Sequence, residues 1–85
     1  MALENGPKAQ RQRLLDALRR GPVDTVYAYR HLDILHVPRR VLELRQEGHD
    51  ITTTWAQRAT EQGSAHRVGV YVLTKPAPPA QGELL

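Results

Sequence analysis

The chain has 85 residues, no cysteine, and 12 lysines and arginines against 9 acidic residues, for a formal net charge of +3. A chain of this length buries only roughly 60–65 % of the surface its unfolded form exposes, which leaves material for one core and excludes two. Without cysteine, disulfide staples and thiolate-held metals are excluded. No apolar run approaches the roughly 18 residues of a membrane helix, and "MALENG" at the start has no basic segment leading into an apolar one, so a cytoplasmic location is expected.

The basic residues are grouped. Lys8, Arg11, Arg13, Arg19 and Arg20 fall early, and Arg30, Arg39, Arg40 and Arg45 fall in the middle. A pI near 9.8 alone says little about partners, because many basic domains bind no polyanion; grouping matters only where it places charge on one face.

In chain order, residues 1–7 are expected to be flexible and a first helix is predicted over 8–20, "KAQRQRLLDALRR". Leu14, Leu15 and Leu18 form its apolar stripe, Pro7 precedes it and Gly21-Pro22 stops it. A second helix is predicted over 25–32, "TVYAYRHL", capped by the side chain of Asp24 or Thr25. Val26, Tyr29 and Leu32 share one face of it, with Ala28 beside them as a point of close crossing. Asp33 and Ile34 read as a tight break.

The third helix is predicted over 35–47. Pro38 is compatible with its first turn, whose amides lack intrahelical acceptors, and Gly48 ends it. Two β-branched and aromatic runs follow, "DITTTWAQ" at 50–57 and "HRVGVYVL" at 66–73, separated by a polar stretch with glycine. They predict a β-hairpin with an exposed tip. The run 75–85, with Pro76, Pro78 and Pro79, has no period and is expected to be disordered.

The third helix carries the chemistry. Val37, Val41 and Leu44 recur at helical spacing and predict the core face, together with Leu14, Leu18, Val26 and Tyr29. His36, Arg39, Arg40 and Glu43 recur at the same spacing and are predicted to face away from it. In a helix-turn-helix, the second helix of the pair lies in the DNA major groove and its N-terminal half reaches the base edges. Arginine forks onto guanine O6 and N7, and a carboxylate accepts from cytosine N4, so these four residues are the candidate base readers. The competing account is a solvated charged face in which Glu43 and Glu47 pair with Arg39 and Arg40. Arg45 lies at the flank and is predicted to pair structurally with Asp50 or Asp16.

Candidate backbone contacts are Lys8, Arg11 and Arg13 on the first helix and Tyr27, Arg30 and His31 on the exposed side of the second. Arg58 and Arg67 flank the hairpin tip, where they are placed to enter a neighbouring minor groove. Trp55 and Tyr71 are read as core aromatics of a half-buried sheet. Val68, Val70 and Val72 share the opposite face, and three valines in water suggest self-association as a homodimer. The histidines His31, His36, His49 and His66 have no ligand spacing. No phosphate loop, serine elbow or carboxylate pair is present, so neither an enzyme nor a metal, cofactor or small-molecule ligand is expected.

The order helix, helix, tight turn, helix, hairpin predicts an α+β, mainly α, winged helix-turn-helix: three helices followed by a two-stranded wing, over residues 8–74. The stretches "RQRLLDALRRGPV", "RRVLELRQEGHDI" and "RVGVYVL" resemble the small winged helix-turn-helix proteins of bacterial and phage genomes. The likeness covers roughly residues 9–73, and its most telling piece is Arg40-Val41-x-Glu43-Leu44-Arg45 followed by Gly48, Ile51 and Trp55. It departs from the pattern at Pro38 inside the helix and at Val70 and Val72, where a polar strand face is usual. The resemblance implies binding of double-stranded DNA and regulation of transcription or excision, with helix 35–47 as reader. The alternative is a winged helix that docks on another protein; exposed apolar anchors on the third helix are the feature that would mark it.

Overall fold

The computed structural model describes residues 5–59, 63 and 65–74; the proline-rich stretch from 75 and most of the hairpin tip lie outside the described residues. The elements are α1 (Pro7–Arg20), β1 (Val23–Asp24), α2 (Thr25–His31), α3 (Val37–Gln46), β2 (Ile51–Ala59) and β3 (Ala65–Leu73).

Helix α1 starts on Pro7, whose missing amide hydrogen is no loss in the first turn. Leu14, Leu15, Ala17 and Leu18 are all buried, so the predicted stripe is the packing face. Asn5, two residues before the helix, is engaged: Gln10 Nε2 donates to its carbonyl at 2.8 Å, and its Oδ1 accepts from Arg13 Nη2. Arg13 Nε donates to the Leu32 carbonyl at 2.8 Å, fastening α1 to the end of α2.

Asp24 caps α2, its Oδ1 accepting the Tyr27 amide at 2.7 Å, as predicted. The packing face of α2 differs from the prediction. Ala28 and Leu32 are buried, whereas Val26 is exposed and Tyr29 is 58 % exposed. Leu32 belongs to both candidate stripes of this short helix, and the stripe through Ala28 wins because its methyl side chain admits the closer approach. After Leu32, Asp33 takes a left-handed conformation at φ +57° and the Ile34 amide donates to the Ala28 carbonyl at 3.2 Å. This turn drives Ile34 into the interior, where it is fully buried. The sequence reading treats Asp33 and Ile34 as a mere break; the break is also a core position.

Helix α3 begins after His36, with Pro38 in its first turn, and Val37, Val41 and Leu44 are buried as predicted. Gly48, at φ +104°, ends it in a conformation that a side chain would strain.

The sheet has three strands in the order β1-β3-β2, not the predicted two. Val23 pairs with Tyr71 and Asp24 with Val70, antiparallel, while the hairpin runs in register from Ile51↔Leu73 to Ala59↔Ala65. Two residues are too few to show an alternation, so β1 exists only through its partner.

One sheet face carries Ile51, Thr53 and Trp55 with Leu73, Tyr71 and Gly69 opposite them. Ile51 and Tyr71 reach the core, but Trp55 is 58 % exposed, against the prediction of a core aromatic. The core face of the sheet is therefore limited to the end near Ile51 and Tyr71. Trp55 lies instead beside Gly69, where a Cβ would meet Trp55 Cζ3 at 3.7 Å and Tyr71 Oη at 3.4 Å, with the Arg67 guanidinium 4.6 Å from the ring centroid. The other face carries Val68, Val70 and Val72, all half-buried.

Truncating Ile34 to Ala is expected to cost about 2–5 kcal/mol, read from urea denaturation, which would consume much of the stability of so small a domain. Burial raises the phenol of Tyr71 above its ordinary 10, with Arg45 pulling it partly back. Because the folded state holds the proton more tightly, the stabilisation is whole below pH 10 and is lost as pH climbs through the raised value. Alkaline melts of Tyr71→Phe should therefore fall less steeply than those of the parent.

Candidate nucleic-acid interface

Four sectors surround α3. Val37, Val41 and Leu44 point inward. Toward α1 lie Arg40, Glu43 and Glu47; toward the sheet lies Arg45; away from the body lie Arg39, Leu42 and Gln46.

The sector facing α1 is an ionic cluster. Arg11 Nη1 donates to Glu43 Oε1 at 3.1 Å, and Arg11 Nε sits 2.9 Å from Glu47 Oε2. Arg40 Nε is 3.2 Å from the same Glu43 Oε1, and Arg39 Nε is 3.7 Å from Oε2. The Arg40 Nε contact is off the hydrogen-bond line, so charge rather than a directed bond holds that nitrogen. Arg40 is only 8 % exposed. This corrects the prediction that Arg40 reads bases: its stem is packed against the core and its head is turned to Glu43. Glu43 in turn is occupied by arginines from both helices, which moves it from base reader to the clamp between α1 and α3. The competing account, in which Glu43 and Glu47 pair with Arg39 and Arg40, describes Glu43; Glu47 pairs instead with Arg11, which also joins Glu43.

The opposite flank is fixed by Arg45. Its Nε donates to the Ile51 carbonyl at 2.9 Å and its Nη2 to Thr53 Oγ1 at 3.0 Å. The predicted structural role is present, but the acceptors are strand β2 atoms and not Asp50 or Asp16. Carboxylates near a helix in sequence are easy to nominate; a carbonyl on the following strand is visible only once the strand is placed.

What remains on the outward ridge is His36 and Arg39 at the start of α3, then Leu42 and Gln46, with Leu35 just before the helix. Arg39 has a 71 % exposed side chain, and Leu42 is half exposed. Leu42 and Gln46 were missed because the search followed charge. The direction opposite the mean of Val37, Val41 and Leu44 passes between Gln46 and Arg39, with Leu42 toward its edge, so the core residues themselves held part of the signal.

Of the candidate backbone contacts, Lys8, Tyr27, Arg30 and His31 are exposed, and the Tyr27 and His31 rings stand 4.8 Å apart. Arg11 and Arg13 are engaged within the protein, the first with Glu43 and Glu47, the second with the Leu32 carbonyl and Asn5. Arg58 and Arg67 do not act together: alternate positions send them to opposite faces of the hairpin. Arg58 Nε donates to Asp24 Oδ2 at 3.1 Å, while Arg67 lies over Trp55.

A helix pair with a three-stranded sheet behind it and a projecting hairpin is the geometry against which the comparisons stand. A family model described as a winged helix-turn-helix domain matches residues 9–76. The chain belongs to this family. No curated protein and no solved structure matches it. In winged-helix terms α2 and α3 are the helix-turn-helix and β2–β3 is the wing, with Trp55 and Arg67 on the wing face that carries Ile51 and Tyr71. Among the described residues of this winged helix, no group of His, Asp and Glu is arranged to hold a metal ion, and no helix is long and apolar enough to cross a membrane.

The clamp can be tested by stability. Glu43→Ala would leave Arg40 against the core without its carboxylate and should cost about 2–4 kcal/mol, somewhat under a fully buried pair because Glu43 is part-exposed. Arg40→Met, which keeps the packed stem and removes the charge, should cost less than about 1 kcal/mol. Equal losses in the two variants, measured by chemical denaturation, would contradict the assignment of Arg40 as a packed partner of Glu43.

Proposed function

We propose that this winged helix is a DNA-binding regulator of transcription, of the kind encoded in bacterial or phage genomes, working in the cytoplasm as a binding module and not as an enzyme. One observation carries the reading: the outward ridge of α3 holds no carboxylate. Glu43 and the capping Glu47 are both turned to Arg11, so a phosphate-lined groove approaching the ridge meets Arg39 and His36 first. Arg39 supplies the two-bond fork for guanine, His36 a ring donor or acceptor, and Gln46 an amide suited to adenine. Leu42 offers an apolar contact to a thymine methyl. Lys8, Tyr27, Arg30 and His31 are the proposed phosphate contacts, and Arg67, steadied on Trp55, is the proposed wing contact.

A second reading, docking of α3 on another protein, draws on Leu35 and Leu42, whose exposure supplies the apolar anchors such a surface needs. The charge distribution favours DNA, since an anchor-led protein surface has no use for acids withdrawn from its centre.

A titration against random duplex and against the DNA upstream of the chain's own coding region, at two salt concentrations, separates the two. Tighter binding upstream with a steep salt dependence supports the DNA reading; no binding to either duplex at low salt supports protein docking. On the selected site, Arg39→Ala is expected to cost roughly 1–3 kcal/mol and to relax the sequence preference. Lys8→Ala should weaken all sequences alike and lower the salt slope by about one.

A further inference from the structure

The two arginines of the wing are in different states. Arg58 is neutralised on one face, its Nε 3.1 Å from Asp24 Oδ2. Arg67, on the other face, is in no ion pair among the described residues, and its guanidinium rests 4.6 Å from the centroid of the Trp55 ring. Neither strand of the hairpin contains an aspartate or a glutamate. The positive charge on this face is therefore uncompensated.

Trp55 is the chain's single tryptophan and is 58 % exposed, yet it is held. Gly69 stands opposite it in the register and is itself buried, and a Cβ on Gly69 would come within 3.7 Å of Trp55 Cζ3. The register also sets Gln57 opposite Arg67, so strand alternation puts Trp55, Gln57 and Arg67 on one face. With Ala56 they line a shallow site of about 160 Å³. Covering a strand glycine accounts for where the indole sits. It does not account for an exposed amide and an unpaired guanidinium gathered around it.

The three groups match one occupant. An indole face attracts a flat ring, an amide side chain hydrogen-bonds to a base edge, and a guanidinium takes a phosphate. A nucleotide carries ring, polar edge and anion in one unit. The site is smaller than the roughly 300–1,000 Å³ of small-molecule pockets, which suits a single ring lying on its surface. Inside a duplex the base faces are already stacked on one another and only their edges are offered, so the ring must come from an unpaired base.

We propose that this face of the wing binds single-stranded nucleic acid: an unpaired base stacks on Trp55, the Gln57 amide bonds to its edge, and Arg67 holds the adjoining phosphate. The function goes beyond duplex reading by α3, which the titration against duplexes scores separately, so either can fail alone.

The test uses the full chain with oligothymidylate and oligouridylate of about eight nucleotides, an abasic strand of the same length and charge, and a blunt duplex. Emission of the single tryptophan reports contact at the site itself, and anisotropy of labelled strands gives affinity. The expected result is saturable quenching by oligothymidylate or oligouridylate, with affinity about tenfold or more above that of the abasic strand. Tighter binding of the first assigns the strand to DNA, tighter binding of the second to RNA, and equal binding to either. Trp55→Ala should bring the base-bearing strand down to the level of the abasic one, while Trp55→Phe keeps part of the difference. Should Trp55→Ala melt early, Gln57→Glu replaces it: a carboxylate set against the phosphates should weaken the base-bearing strand about tenfold. Four results would overturn the proposal: neither base-bearing strand quenches Trp55; the abasic strand binds as tightly as they do, leaving charge alone; the blunt duplex quenches with equal affinity, making this an ordinary duplex contact; or a peptide of glutamates around one phenylalanine quenches at lower concentration than either strand, assigning the face to a protein.

Discussion

The Glu43 carboxylate sets the orientation of the helix on which the rest of the domain's chemistry depends. It lies between Arg11 of α1 and Arg40 of α3, and Arg45 pins the other side of the same helix to the β2 backbone. Hydrophobic packing through Val37, Val41 and Leu44 says which side of α3 is inward, but apolar contacts are non-directional and tolerate some rotation. Charge pairs on one flank and a directed hydrogen bond on the other remove that freedom. The result is a defined ridge through Arg39, Leu42 and Gln46, and a different rotation would bring the glutamates to its centre.

The sequence made the helices, the hairpin and the inward face of α3 legible, because each rests on a local pattern: a heptad-like apolar recurrence, a side-chain cap, a proline in a first turn, a glycine after a last one. The features that escaped it are relational. Strand β1 is defined by its pairing with β3, and Ile34 is a core residue because a left-handed Asp33 throws it inward. Trp55 has the chemistry of a core residue, yet more than half of it is open to solvent, with Gly69 and Arg67 as its neighbours. For the candidate site the error was one of sector. Arg40 and Glu43 have the right spacing and the right chemistry for an outward face, but each lies toward α1, and a neighbour that offers Arg11 converts such residues into a joint. Charge on a helix is legible; which charges are already spent is not.

The domain therefore separates its arginines into two populations. Arg11, Arg13, Arg40 and Arg45 act inside the protein, on carboxylates, backbone carbonyls and a threonine hydroxyl. Arg39 and Arg67 present their guanidinium groups near the surface, with only a long contact to Glu43 for one and an aromatic face for the other. A net charge of +3 does not show this division, which depends on Glu43 and Glu47 standing with Arg11 and Arg40. A basic composition thus serves two ends in one small chain: some arginines tie α1, α3 and β2 together, and Arg39 stays on the outward side of α3.

The pairing of Val23 with Tyr71 has a kinetic side. Helix α1, the α2–α3 turn and the β2–β3 hairpin all form from residues close together in the chain, whereas β1 meets β3 only after nearly the whole domain has been laid down. Loop-closure entropy makes this the contact that ordering must wait for. Asp24 caps α2 by a bond to Tyr27 three residues on, so the helix can start before the sheet closes, and the pairing of β1 then fixes that start against β3. The closing contact therefore ties the start of the helix-turn-helix to the sheet, joining the earliest-made and latest-made parts of the chain at Val23 and Asp24.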